Sequence, residues 1–387
     1  MAKPKTFTSL EILEKLVGFP SVSSDSNLPL IHFVQDYLSN LGLSIHIVPN
    51  STGEKASLVA HIGPDIPGAL VLSGHSDVVP IEGQNWSSDP FVLTERKGKL
   101  YGRGTCDMKG FIACFLALVP EMQAAGLKRP IQLAISYDEE IGCLGAPPMI
   151  EYMQNNLPPA STAIIGEPTL MKVVNGHKGI AELHTHITGT EQHSSLIHRA
   201  VSAVMTAARL IEWHSTQNDH NRSNVSQDLA YDPAWTTLHV GKITGGTAHN
   251  ITAGHCFFTT DIRTVPSENT RDWISKYKAF AAKVEAEIKK IHQDAAITIE
   301  TIAEVPGCQA EPSGEAEALV RLMTGDNATN VVSYATEAGQ FQDRGLSAVV
   351  CGPGSIEQAH KADEYIEISQ LKACDTMLRR LIAHLSN

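Results

Sequence analysis

His75, Asp107, Glu139, Glu140, Glu167 and His360 are spread from one end of the chain to the other. Each stands in a short glycine- or proline-marked segment that follows an apolar run. The segments read LVLSGHSDVVP (70–80), GRGTCDMKG (102–110), QLAISYDEEIG (132–142), AIIGEPT (163–169) and GPGSIEQAHKADE (352–364). Strand ends that deliver carboxylate and imidazole groups to one place would build a dinuclear, hydrolytic metal site.

Each residue has an ordinary reading beside the chemical one. His75 and Asp77 are one residue apart on an extended run and share a face, so Asp77 can orient the imidazole through its other ring nitrogen. Alone, the same residues describe a surface turn. Asp107, held by a tight glycine turn before a helix, can bridge two cations, though Asp is also a common helix cap. Glu139 and Glu140 follow Asp138 at the end of an apolar run, where three acids repel unless a positive charge compensates them. One of the two glutamates can ligate a metal while the other takes a proton from water; a solvated loop is the plain alternative. Glu167 stands between Gly166 and Pro168, and His360 lies in a loop of mixed glycines and carboxylates. Together they are more specific than apart: one imidazole and two carboxylates, with Asp107 shared, complete each of two sites. An N/O donor set without cysteine suits zinc, cobalt or manganese, and imidazole favours the first two. Cys106 beside Asp107 is not counted as a ligand. Most of the 17 histidines are structural or surface residues, and His184 and His186, alternating on one strand face, are expected to be solvated.

The elements that must position these groups alternate strand and helix. Residues 8–45 carry helical patterning interrupted by the polar loop 21–27. SLVAHIG, ALVLSGH, QLAISYD and AIIGE read as strands, and Met108–Val119 as a buried helix. This is the pattern of a mainly parallel sheet flanked by helices, with its site beyond the carboxyl ends of the strands. After Gly176 the texture changes. GIAELHTHITG alternates apolar and polar residues, a helix follows over Leu196–His214, and strands follow near 235–243 and 254–263. A charged helix over about 268–292 and the strand ITIETI complete a β-α-β-β-α-β order, a ferredoxin-like α+β unit. The α/β texture resumes with a helix near 314–324, strands VVSYA and AVVCG, and a last helix from Ile368. The expected organisation is a discontinuous catalytic domain (1–178 and 304–387) carrying an inserted domain (179–303).

Composition bounds the function. Thirty Lys+Arg against 42 Asp+Glu give a net charge of −12 without long like-charge blocks, which argues against nucleic acid or an anionic membrane as partner. The start, MAKPKTFTSLEILEKL, reads as a capped amphipathic helix rather than a signal peptide. Phe111–Val119 is too short to span a bilayer. Seven cysteines without CxxC spacing fit reduced thiols in a cytoplasmic enzyme.

At these residues the chain resembles the co-catalytic zinc aminoacylase/carboxypeptidase family, in motif order over nearly its whole length: GHSDVVP, GRGTCDMKG, DEE, GEP, HSS, GGTAHN, DIR and QAHKADE. GHKG (176–179), YATEAGQF (334–341) and GPGSIEQAHKADEYI (352–366) look most like its acetylornithine deacetylase branch. The resemblance implies two divalent ions, Zn2+ or Co2+. His75, Asp107 and Glu167 would hold one, and Asp107, Glu140 and His360 the other. Glu139 becomes the general base, Asp77 orients His75, and a cis peptide follows Asp107. It further implies that the inserted domain dimerises the protein and sends His193 into the partner's site, and that Asn250 and Arg263 bind substrate. The chain departs from the family at HSSLIHRAVSA, where Ile197, Ala200 and Ser202 stand at the usual Pro, Gly and Asn positions; His198 is a possible substitute for His193.

The expected reaction is removal of the acetyl group from N2-acetyl-L-ornithine by a homodimer, with Glu337 of TEAGQF meeting the distal ammonium of the substrate. A desuccinylase or a broader aminoacylase of the same family is the alternative. A non-catalytic metal-binding protein is disfavoured by the presence of Glu139. A nucleotide-binding protein is disfavoured because GRGTCDMKG lacks the GxxxxGK[ST] arrangement and GxGxxG is not matched.

Overall fold

A computed structural model describes residues 5–225 and 230–387; the first four residues of the expected N-terminal helical segment lie outside them. Thr8 starts α1 (Ser9–Val17) with a reciprocal capping box to Glu11. After the polar loop comes α2 (Leu28–Asn40), then β1 (Ile45–Pro49), β2 (Ala56–Ile62) and β3 (Ala69–His75). Two three-residue strands, β4 (Thr94–Arg96) and β5 (Lys99–Tyr101), precede the glycine-rich turn. The helix expected over Met108–Val119 is broken: α3 (Lys109–Ala117) stops, and α4 (Val119–Ala124) restarts with Pro120 in its first turn. Proline has no N–H to continue the ladder but fits the opening of a helix. β6 (Ile131–Ser136), α5 (Ala146–Asn156), β7 (Ala160–Pro168) and β8 (Val174–His177) follow.

The chain divides into two units. The first holds residues 1–176, 308–330 and 336–387, and the second 177–307 and 331–335; expected boundaries were 178/179 and 303/304. In the first unit the strand order is β1-β2-β6-β3-β7, then β14 (Ser347–Gly352) and β8. β6, β3, β7 and β14 are mutually parallel, while β1, β2 and β8 pair antiparallel at the sides. Every residue of β3 and β6 is buried, as a helix-covered parallel sheet requires. α1, α2, α3, α8 (Glu315–Thr324) and α10 (Ile368–Leu385) contribute to one core against this sheet. β13 (Asn330–Val332) is shorter than the expected VVSYA strand, and α9 (Ala338–Asp343) follows it. A second, antiparallel sheet joins β4, β5 and β15 (Tyr365–Glu367), pairing Tyr365 with Tyr101. It ties the segment after His360 to the one before Asp107.

The second unit is β9 (Gly179–Thr188), α6 (Ala203–Ser223), β10 (Thr237–Gly245), β11 (His255–Thr264), α7 (Thr270–Ile288) and β12 (Ala296–Val305). Its antiparallel order β10-β11-β9-β12 is the ferredoxin-like arrangement. Alternate residues Ala181, Leu183, Thr185 and Ile187 of β9 are buried, and the Thr185 hydroxyl meets Tyr277 of α7 at 2.8 Å. On the other face His184 and His186 are half-buried rather than solvated, each against Phe257. The helix expected over Leu196–His214 begins later, at Ala203. A 3-10 turn occupies Ser194–Arg199, Ala200 is extended, and Ser202 caps α6 through the Met205 amide.

Candidate metal centre

β3 ends at His75, β6 runs out into Asp138–Glu140, and Glu167 lies near the end of β7. Gly166 is required there: a Cβ at this position would lie 2.0 Å from the Phe111 ring. Parallel neighbours finishing at the same edge bring these groups together. Asp107 then bridges two imidazoles. Its Oδ1 is 3.1 Å from His75 Nε2 and its Oδ2 is 3.3 Å from His360 Nε2. Glu167 Oε1 lies 3.8 Å from His75 Nε2, Glu140 Oε2 2.9 Å from His360 Nε2, and Glu139 Oε2 4.0 Å from His75 Nε2. Ligands ~2.0–2.1 Å from a tetrahedral cation sit roughly 3.3 Å from one another, which is close to the Asp107–His75, Asp107–His360 and Glu140–His360 separations. Ligand atoms of His75, Glu139 and Glu167 also fall within 4.8 Å of one another, as do those of His75, Asp107 and Glu140.

The charges demand cations. Burial, reinforced by surrounding carboxylates, pushes Glu139 up to about 8 and Glu140 up to about 7. Burial and then Asp107 hold Glu167 well above the carboxylate range, and its Oε1 has no hydrogen-bond partner among the described residues. Hydrogen bonds to Asp107 and Glu140 raise His360 to about 10. Burial opposes the charged form of Asp107, yet the two imidazoles hold it far below its usual value. Four carboxylates thus share two imidazoles, an imbalance that two divalent ions would correct. The residues fit such a pair.

Local backbone supports the arrangement. The peptide Asp107–Met108 is cis. Asp138, Cys143 and His360 have positive φ, a left-handed backbone that is costly for non-glycine residues and clusters at functional sites. Lys55 supplies the compensation that three successive acids require, with its Nζ 2.5 Å from Asp138 Oδ1. Asp77 flanks the other ring nitrogen of His75, with its backbone carbonyl 2.9 Å and its carboxylate Oδ1 3.6 Å from Nδ1. The carboxylate also accepts from Ser23 and from the backbone N–H groups of Glu139 and Glu140, which pins the acidic turn. Cys143 donates to Glu139 Oε1 at 3.3 Å.

Residues 71–384 match the family model described as Peptidase family M20/M25/M40. The chain belongs to that family. Membership makes it a metal-dependent hydrolase, and the clustered carboxylates and imidazoles are candidate ligands. Among its relatives are proteins named acetylornithine deacetylase. That of Myxococcus xanthus is 34% identical over 96% of this chain and 96% of its own length. That of Proteus mirabilis is 33% identical over 97% and 96%. Solved structures of similar fold include an M20 family metallo-carboxypeptidase from Sulfolobus solfataricus, with TM-score 0.75, 17% identity, and 98% and 100% of the two chains covered. A dinuclear metal binding peptidase of the M20 family from Bacillus subtilis has TM-score 0.64 and 13% identity, over 97% of each chain.

The other residues anticipated for this M20 chain are placed less simply. His193 and Asn250 come together in the second unit: His193 forms a bridge with Ile251, and the Asn250 carbonyl accepts from the Ser194 amide. Both are exposed, and His193 Nδ1 meets the Ser195 hydroxyl at 2.8 Å. His198 is exposed at the end of the 3-10 turn. Arg263 lies at the far end of β11, at about 3.4 Å per residue roughly 27 Å from His255 where that strand begins, and is paired with Asp261. Asn250 and Arg263 are therefore not a pair within one chain. Glu337, expected to meet a substrate ammonium, is only 1% exposed. Its oxygens accept from the hydroxyls of Ser73 on β3 and Ser136 on β6, an arrangement that braces these two strands. Two further residues had no role in the sequence reading. Glu364 and Arg103, each 1% exposed, form an ion pair beneath the Asp107 turn. Four acids crowd the GPGSIEQAHKADE segment and its surroundings, and only the contacts single one out.

Proposed function

We propose that this protein hydrolyses N2-acetyl-L-ornithine to L-ornithine and acetate. The observation that carries the hydrolytic part is Asp107, whose two oxygens face two different imidazoles. The choice of substrate is supported by relatives of that name over nearly the full chain.

His75, Asp107 and Glu167 would hold one divalent ion, and Asp107, Glu140 and His360 the other, with zinc or cobalt suited to the donors. Bound there, the pair supplies Lewis acidity, making water more acidic and the acyl carbonyl more electrophilic. Glu139 receives the proton of the attacking water and returns it to the departing α-amine. Asp77 keeps Glu139 and Glu140 in register. The second unit makes the protein a homodimer. Leu196, Ile197, Val204, Met205, Ile243 and Ile251 are exposed around the 3-10 turn and edge strand β10, a surface suited to a second copy. His193 of the partner subunit then donates to the oxyanion, with Asn250 beside it. Arg263 grips the substrate carboxylate through a two-pronged hydrogen bond. Seven free, buried cysteines favour a cytoplasmic setting, and no helix among the described residues is long and apolar enough to cross a membrane.

The test is metal analysis paired with turnover of acetylornithine, acetylmethionine and succinyl-diaminopimelate, before and after chelation. Two equivalents of metal, with acetylornithine hydrolysis lost on chelation and restored by Zn2+ or Co2+, is the expected result. Full activity in chelator would overturn the hydrolytic reading, and faster turnover of another substrate would overturn the choice of acetylornithine.

A further inference from the structure

We infer that the buried Glu364–Arg103 pair, extended by Gln84, is a positioning device that sets Asp107 and His360 in register for the second cation. The inference rests on the dinuclear reading above and adds residues that lie behind the ligands.

Glu364 faces the loop that presents Asp107. Its Oε1 accepts from the backbone N–H of Cys106 at 3.0 Å and of Asp107 at 3.2 Å. Its Oε2 accepts from the Gly104 N–H at 2.9 Å and from Arg103 Nη1 at 2.8 Å. Its own backbone carbonyl accepts from the Gly102 N–H. One carboxylate thus gathers three loop amides and a guanidinium, and fixes the turn from which Asp107 projects. A neutral side chain could not satisfy that many donors.

The same residue lies four positions beyond His360 on a loop with unusual backbone. His360 and Asp363 both have positive φ, at 61° and 56°. Arg103 continues the connection: Nη2 donates to Gln84 Oε1 at 2.6 Å, and Gln84 Nε2 donates to the His360 carbonyl at 3.0 Å. The Trp86 ring lies 5.0 Å from the guanidinium, and Asp363 accepts from the Ser87 amide and hydroxyl. The path Asp107 loop–Glu364–Arg103–Gln84–His360 carbonyl therefore joins the bridging carboxylate to the one ligand that is half-exposed. His75 and Glu167, which complete the other set, are held by β3 and β7 and do not depend on this path.

Unequal damage to the two cation sites follows, because Asp107 serves both and His360 only one. Calorimetric titration of chelator-treated protein with Zn2+ or Co2+ should resolve two binding events in the wild type. In Glu364→Gln one event should lose about 10–100-fold in affinity, the usual cost of removing a group that orients a ligand, while the other, which shares only Asp107 with this path, should weaken by a smaller factor. Gln84→Ala removes only the outer link in a half-buried segment, and should shift the same event by a smaller factor in the same direction. It decides the matter if Glu364→Gln does not fold. Equal weakening of both events, or no change in either, in a folded variant would overturn the inference. Fewer than two equivalents bound by the wild type would instead overturn the dinuclear reading.

Discussion

The ligand end of the first unit and the exposed end of the second differ in how complete they are within one chain. At the first, parallel strands stop at a common edge and bring buried carboxylates and imidazole groups within reach of one another. At the second, His193 opens an exposed 3-10 turn beside the exposed loop of Asn250, with exposed apolar side chains nearby, while Arg263 sits at the other end of β11. Groups that act within one chain are buried and pre-set by their own strands. Polar groups left exposed, as His193 and Asn250 are, fit the proposed action on a neighbouring chain.

The first side of this contrast breaks hardest at Glu139. Glu139→Gln keeps the shape and the Cys143 contact but removes proton acceptance. Turnover should fall by up to about 10⁴-fold, with both metal equivalents retained. Loss of a metal equivalent along with activity would make Glu139 a ligand instead. The second side is sharpened by mixing two damaged proteins. His193→Ala should cost about 10²–10³-fold in kcat and leave folding unaffected, because the side chain is exposed. If its imidazole serves the neighbouring subunit, Glu139→Gln and His193→Ala proteins should complement each other. Random exchange yields about half mixed dimers, each with one intact site, so activity should recover to about a quarter of wild type. No recovery after verified exchange would mean that His193 serves its own chain.

Much of the first region was legible in the sequence because apolar strands announce their own ends, and a carboxylate or histidine at such an end is conspicuous. Asp107, Glu140 and His360 needed only to be brought together. The supporting groups were not legible. Glu364 is one acid among several, and its partners are backbone amides of a distant loop. The three-residue strands β4, β5 and β15 are too short to show a period. Pro120 split a run that was otherwise continuous, and Ser202 moved the start of α6, because local caps override apolar spacing. The opposite ends occupied by Asn250 and Arg263 followed from strand register, which motif order does not reveal.

The two units also bury polar groups differently, and pH separates them. His214 in the second unit is 2% exposed, with Nδ1 2.8 Å from the Leu210 carbonyl and Nε2 3.2 Å from the Thr260 hydroxyl. Burial lowers its pKa to about 4. The unfolded chain protonates this ring first, so its contribution to stability is fully present above about pH 6.5. It is lost as pH falls towards 4, on the order of 3 kcal/mol in all. Urea midpoints followed by Trp213 fluorescence should fall across that window. In His214→Gln, which cannot titrate, the slope should flatten; an unchanged slope would assign the acid sensitivity to another group.

The smallest expected effect bears on Glu337, because it separates a strut from a substrate contact. If the carboxylate braces β3 and β6 through Ser73 and Ser136, Glu337→Gln should lower kcat by about 10-fold through misplaced ligands. The loss should be equal for acetylornithine and acetylnorvaline, since neither side chain would reach it. A contact with the distal ammonium predicts the opposite split: KM for acetylornithine would rise, acetylnorvaline would be unaffected, and the ratio of their kcat/KM values would collapse. Ser73→Ala provides the control, for it removes a hydroxyl donor to the brace without touching the carboxylate. A modest loss there, again equal for both substrates, would place Glu337 among the groups that hold the ligand strands together. A Glu337 variant that discriminates between the substrates while Ser73→Ala does not would move it into the substrate site, and would require the buried carboxylate to become accessible when substrate binds.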